Sequence, residues 1–192
     1  QQRLVVSDAT VSWSVGDNAS NISSQSGCET QNVTSDTNGV TFTCSASSAG
    51  GTASESVTIK RDATAPTISA AATTAANGNG WYNGNVTVQF TCNDNLSGVV
   101  SCPTEETLSS EGSAVSSTDQ TVSDQAGNTS APSNVVTVKI DKTAPVVTVT
   151  GVSNNATYTL GSVPSAGCST TDALSGVATQ ATLSITGGNP DG

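Results

Sequence analysis

The sequence predicts an all-β chain built from two-sheet sandwiches in tandem. Three observations carry that expectation: a composition rich in hydroxyl and β-branched residues, short apolar runs of period two, and an internal repeat near 79 residues. Ser and Thr supply 60 of the 192 residues. Val, Ile and Thr lose rotamers in a helix and pack well on a pleated surface, so this mixture favours strands. No window shows the 3.6-residue periodicity of an amphipathic helix.

The repeat is read from "IKRDATAPTIS" at 59–69 and "IDKTAPVVTV" at 140–149, in which Asp62 to Pro66 and Asp141 to Pro145 spell the same Asp-X-Thr-Ala-Pro joint 79 positions apart. Taking the joints as boundaries gives three units, 1–62, 63–142 and 143–192. In the middle unit "NVTVQFTC" sets Val86, Val88, Phe90 and Cys92 on one face, and "VVTVKI" does the same for Val136, Val138 and Ile140. The first unit repeats the plan with "ATVSWSV" (Val11, Trp13, Val15), "GVTFTC" (Val40, Phe42, Cys44) and "SVTIK". Short strands separated by Asn, Gly, Ser and Asp turns in units of this size suit a sandwich. Beside the middle unit the first starts late and the third lacks counterparts of "TVSDQAGNTSAPSNVVTVKI", so both are expected to be incomplete. Pro66 and Pro145 fix their own backbone and push Ala65 and Ala144 toward extended conformations, which predicts short, stiff joints.

A formal charge of -10 from 15 acids and 5 bases opposes binding to nucleic acid or to anionic lipid. The chain has no apolar run long enough for a membrane span. It also has no His, which removes Ser-His-Asp and Cys-His catalysis and His-based metal sites; adjacent Glu105 and Glu106 point to opposite faces of a strand. No enzymatic activity is expected. Five Cys without a Cys-X-X-Cys indicate disulfides, hence an extracellular or cell-surface location. Pairing within units gives Cys28 with Cys44 and Cys92 with Cys102; Cys168 is left unpaired, its partner expected beyond the sequence given.

Beyond the joints, "GDNASNIS", "NDNLSGVV" and "TDALSGVA" begin related loops at Asp17, Asp94 and Asp172, and "SDQAGNTS" carries Asp124. The loops at Asp94, Asp172 and Asp124, together with "IDKTAPVV", resemble the tandem bacterial Ig-like (Big-type) repeats of large surface and secreted proteins. The resemblance covers essentially the whole chain. It implies tandem immunoglobulin-like β-sandwiches, two largely complete units plus a truncated third, in a surface-exposed, non-catalytic role, and some relatives hold calcium between domains. The first unit departs from the pattern, with "SASSAGGTAS" where the acidic loop should be.

In such a sandwich Asp62, Asp94 and Asp124 share one pole. Two readings stay open for them and for Asp141 and Asp172: hydrogen-bonded turn caps, or oxygen ligands for calcium. Trp81 and Tyr82 are likewise read in two ways, as a staple of their loop to the core or as a platform for a sugar ring. Three functions follow in order of preference: the stalk or fibre shaft of an adhesin or filament, whose partners are neighbouring repeats or like subunits; a module that binds a glycan or a surface protein; and a spacer in an exported hydrolase. A variant of the first has an unpaired edge in the third unit accepting "RLVV" of the next molecule.

Overall fold

The computed structural model describes residues 2–159 and 161–184. Fourteen strands and no helix are formed among them, and the chain divides into two compact units. The first comprises Gln1–Ala71, Gln89–Glu105 and Thr118–Val135; the second comprises Ala72–Val88, Glu106–Ser117 and Val136–Gly192. The division runs through residues 63–142, so each unit contains one whole Asp-X-Thr-Ala-Pro joint.

The first unit begins with β1 (Gln2–Val5), β2 (Ala9–Val11), β3 (Ile22–Ser26), β4 (Gln31–Val33), β5 (Thr37–Ser48) and β6 (Gly51–Arg61). These form a four-stranded sheet in the order β1-β6-β5-β3 and a separate β2-β4 pair. Val11 from β2, Val33 from β4 and Ile59 from β6 make one buried cluster, onto which Val5, Trp13, Val40, Phe42 and Val57 pack. Apolar side chains from both sheets therefore meet in one core, which is what defines a sandwich. On the outer face of the β5-β6 hairpin hydroxyls pair across the strands: Thr41 with Thr58, Thr43 with Ser56, Ser45 with Ser54 and Ser47 with Thr52, at 2.8–3.0 Å. The abundant Ser and Thr are thus spent on the solvent side of the pleat.

One expectation is corrected here. The alternation through Val11, Trp13 and Val15 predicts a strand across all three, yet β2 stops at Val11. Its partner β4 reaches only residues 9–11, and a strand persists only where a neighbour takes up its backbone groups. The "RLVV" segment lies largely in β1, which pairs in parallel with β6 of its own chain from Gln2↔Thr58 to Val5↔Arg61.

The remaining strands are β7 (Thr67–Ala72), β8 (Trp81–Tyr82), β9 (Val86–Asn93), β10 (Glu106–Leu108), β11 (Gly112–Ser116), β12 (Thr137–Ile140), β13 (Val146–Thr150) and β14 (Gly167–Thr171). They form sheets in the orders β10-β9-β7, β11-β12-β8 and β13-β14. Val86, Val88 and Ile140 are fully buried, with Leu108 and Val138 close to it. Burial alternates along β9 and β12, as the period-two reading expects. In the second unit Val146, Val147 and Val149 of β13 remain more than half exposed.

The repeat survives as register. Ala9↔Val33, Thr10↔Asn32 and Val11↔Gln31 of β2-β4 are matched by Val86↔Leu108, Thr87↔Thr107 and Val88↔Glu106 of β9-β10. The parallel β1-β6 ladder closes with Asp62 N donating to Val5 O at 2.9 Å, and the parallel β8-β12 ladder closes with Asp141 N donating to Tyr82 O at 2.9 Å. The fold is all-β and immunoglobulin-like.

Candidate functional site: the carboxylate joints

Each joint is organised by an aspartate that ends its strand and turns its side chain inward. Asp62 is 1% exposed. Its Oδ1 accepts the Thr64 N–H at 3.1 Å, and its Oδ2 accepts the Ser97 N–H at 2.9 Å. Asp141 repeats this arrangement with the Thr143 N–H at 3.0 Å and the Ser175 N–H at 2.9 Å. The loops that approach them are capped by their own aspartates. Asp94 Oδ1 accepts from Leu96 N at 3.1 Å and Gly98 N at 2.7 Å; Asp172 Oδ1 accepts from Leu174 N at 3.1 Å and Gly176 N at 2.8 Å. Gly98 and Gly176 both have φ near +80°, at 79° and 76°, a conformation glycine adopts without strain.

A second carboxylate clamps each joint from the other side. Asp36 accepts the Ala63 N–H at 2.9 Å, the Thr64 hydroxyl at 2.6 Å and the Arg61 guanidinium at 2.6 Å. Glu111 accepts the Lys142 N–H and the Thr143 hydroxyl, the latter at 3.0 Å. Thr64 and Thr143 thus donate backbone to one acid and side chain to another, which gives the Thr of the motif a physical role.

The first unit adds a third carboxylate. Asp124 Oδ1 accepts from Gly127 N at 2.7 Å and Asn128 N at 2.9 Å, and its Oδ2 accepts from Asn128 Nδ2 at 2.7 Å. That amide also reaches the joint backbone, donating to Asp62 O at 2.9 Å. Burial pushes the Asp124 carboxyl up, but the Asn128 side chain and the N–H groups of Asn128, Gly127 and Ala126 outweigh it and hold it below the usual range. The Ser175 hydroxyl and N–H hold Asp141 low, and the Thr64 hydroxyl with the Ala63 N–H do so for Asp36.

One oxygen each of Asp62, Asp94 and Asp124 lies within 4.8 Å of the others. Calcium–oxygen bonds run about 2.3–2.6 Å, so oxygens at this spacing can share one ion, with its remaining ligands from carbonyls or water. Beside the cluster the Ser97 hydroxyl is buried without a partner. The structure brings Asp62, Asp94 and Asp124 together, whereas Asp141 and Asp172 form the two-carboxylate version of the same joint.

Cys28 is bonded to Cys44 and Cys92 to Cys102. Cys168 is a half-buried free thiol on β14, donating to Ala181 O at 3.1 Å. Its own loop gives no mate, because Gln180 follows Asp172 at the distance at which Cys102 follows Asp94. Trp81 and Tyr82 are both half-buried in β8. The Tyr82 hydroxyl donates to Thr74 O at 2.9 Å, and Lys139 Nζ sits 5.8 Å from the centre of the Trp81 ring. Those contacts tie the loop down.

These features define the class: an immunoglobulin-like β protein with disulfide-bonded sandwiches and carboxylate joints. No protein-family model matches the sequence, and no curated protein matches it. Among solved structures, the fibronectin(III)-like modules of Clostridium thermocellum CbhA are similar at 14% identity and a TM-score of 0.30, over 73% of this chain and 90% of that one. No helix among the described residues is long and apolar enough to cross a membrane.

Proposed function

We propose that this chain is a non-enzymatic, extracellular run of tandem bacterial Ig-like modules that serves as the stalk of a surface adhesin or the shaft of a fibre. The observation that carries the reading is the repeated joint. Asp62 and Asp141 make the same two hydrogen bonds, and Asp36 and Glu111 clamp the same two donors from the other side. A flexible linker has no need of such fixtures. The two disulfides support an oxidising compartment, and the acidic surface supports solubility over adhesion to phosphate-rich surfaces.

Small-angle scattering of the whole chain tests this reading, with a variant carrying four glycines inserted between Ala63 and Thr64. The native chain is expected to scatter as one fixed particle, and the insertion to add flexibility. A native profile already as flexible as that of the insertion variant ends the stalk reading.

A second reading adds to the first, favoured by the 4.8 Å spacing of the three carboxylates. Asp62, Asp94 and Asp124 hold calcium, which offsets their mutual repulsion and tightens the joint. Calcium titration followed by calorimetry checks it: one site lost in Asp124→Asn supports the reading, and no heat in the native chain rejects it.

A further inference from the structure

Asparagine followed by glycine is especially prone to lose its side-chain ammonia, because the nitrogen that attacks the carboxamide has no Cβ beside it and the backbone bends freely there. The chain carries four such pairs: Asn38-Gly39, Asn77-Gly78, Asn79-Gly80 and Asn83-Gly84. All four asparagines are exposed, so access to water does not separate them. What separates them is the state of the two groups that must meet, the glycine N–H and the asparagine carboxamide.

In three pairs one of those groups is held. Gly39 N donates to Thr37 Oγ1 at 3.1 Å, and Gly80 N donates to Asn77 O at 2.9 Å. A nitrogen engaged as a donor keeps its proton and is a poor nucleophile. Asn77 Oδ1 accepts from Asn79 N and Trp81 N, both at 3.0 Å, so turning that amide onto Gly78 N breaks two hydrogen bonds. In Asn83-Gly84 neither the Gly84 N–H nor the Asn83 carboxamide has a hydrogen-bond partner among the described residues. The space around Gly84 is open as well: a Cβ built there meets nothing within 4 Å.

This pair stands beside the second joint. Tyr82, just before it, ends β8, and its carbonyl accepts Asp141 N at 2.9 Å. Just after it, Asn85 Oδ1 accepts from Lys142 Nζ at 3.2 Å and Val86 is fully buried. The first joint has no such pair. There Val5 O accepts Asp62 N, and the residues that follow Val5 are Val6 and Ser7.

We propose that Asn83 is a self-modifying site through which the second joint ages while the first does not. Gly84 N loses its proton and attacks Asn83 Cγ; the Cγ–Nδ2 bond breaks, and ammonia leaves carrying the proton. Water then opens the five-membered imide at either carbonyl. The product is an aspartate or its β-linked isomer, whose main chain runs through the side-chain carbon. Both add a carboxylate to a chain of net charge -10. The isomer also lengthens the backbone by one carbon between Tyr82 and Val86, both fixed in strands, and a span this short relieves the excess by loosening the Tyr82–Asp141 bond.

The test incubates the whole chain at mildly alkaline pH, folded and in urea, and follows each Asn-Gly peptide by mass spectrometry for exchange of amide for acid. In the folded chain position 83 should convert at least about fivefold faster than 38, 77 or 79, the factor that one hydrogen bond supplies. In urea all four should convert at similar rates. Gly84→Ala, at a position without positive φ and with room for the methyl, should slow conversion at least about tenfold by crowding the attacking nitrogen. In the aged chain amide exchange should quicken at Asp141 and stay unchanged at Asp62, and the aged Gly84→Ala chain should keep Asp141 protected. No conversion at position 83, or one pace for all four pairs in the folded chain, overturns the site. Complete conversion with Asp141 still protected overturns its effect on the joint.

Discussion

Replacing Asn128 probes the first joint at the point where it is most heavily used. Its amide donates to the Asp124 carboxylate at 2.7 Å and to the Asp62 carbonyl at 2.9 Å. Asn128→Ala removes a charge-assisted bond, about 1.5–3 kcal/mol, and a neutral one, about 0.5–1.5 kcal/mol. Because Asn128 is only partly buried and water can reach part of the vacated space, the lower half of that sum applies, about 2–3 kcal/mol. With a slope of about 2 kcal/mol per molar urea, the midpoint for the middle module falls by roughly 1–1.5 M. Asn128→Asp keeps the shape but turns an oxygen toward Asp124, so it should cost more at neutral pH.

The same variant makes a pH prediction. The Asp124 carboxyl is held below its ordinary range, so it contributes stability that is present above that range and lost as pH falls through its folded value. Asn128 is the first of the groups that lower it, opposing a burial effect that raises it. Asn128→Ala therefore raises the folded value toward the usual carboxylate range near 4, so less stability is lost on acidification and the loss is complete at a higher pH. Urea titrations between about pH 2 and 7 read both effects. A midpoint within about 0.3 M of native, with an unchanged acid limb, refutes the assignment of this amide as the tie between joint and loop.

Other consequences are read by the same unfolding assay. Replacing Cys28 and Cys44 together, or Cys92 and Cys102 together, by Ser should cost about 3 kcal/mol in each case, since the closed loops of 16 and 10 residues are similar in length. Ile140→Ala, at a fully buried position, should cost about 2–5 kcal/mol and lower the urea midpoint accordingly. A double-mutant cycle on Thr43 and Ser56, whose hydroxyls pair at 2.8 Å on the exposed face, should return a coupling of about 0.2–1 kcal/mol; zero coupling makes the ladder decorative.

Much of this architecture is legible in the sequence because it is repeated and local. Val86, Val88 and Phe90 announce a half-buried strand by alternation alone, and Cys pairs are readable where only two occur per unit. Asp62 and Asp141 stand out through the Asp-X-Thr-Ala-Pro repeat. Their partners do not, because Ser97 and Ser175 donate backbone N–H groups, which any residue could supply. The clamps Asp36 and Glu111 escape detection for another reason: they differ in identity and precede their joints by unequal spacings, 26 and 30 positions. Asn128 carries a signal in the Asp-X-Ala-Gly-Asn loop, but its reach to Asp62 O is a tertiary fact. Trp13 shows the opposite error, a clear period-two pattern without a strand, because alternation reports burial while strand geometry needs a neighbour.

The two joints also separate what closes a joint from what an ion would add. Asp141 makes its two backbone bonds with Asp172 as the capping acid of the approaching loop, and the only group of three or more metal-capable side chains among the described residues is Asp62, Asp94 and Asp124. The shared geometry therefore does not depend on a third carboxylate. In the first unit the third acid brings its own compensation, three donors from Gly127 and Asn128, one of which also grips the joint carbonyl. Asp124 is thus attached to the joint through Asn128 before any cation is considered. Chelation should then loosen the first joint only by the repulsion among its three acids, and should leave the Thr143 and Ser175 amides of the second as protected from exchange as before. Equal loss of protection at both joints would mean that their common hydrogen bonds are not self-sufficient.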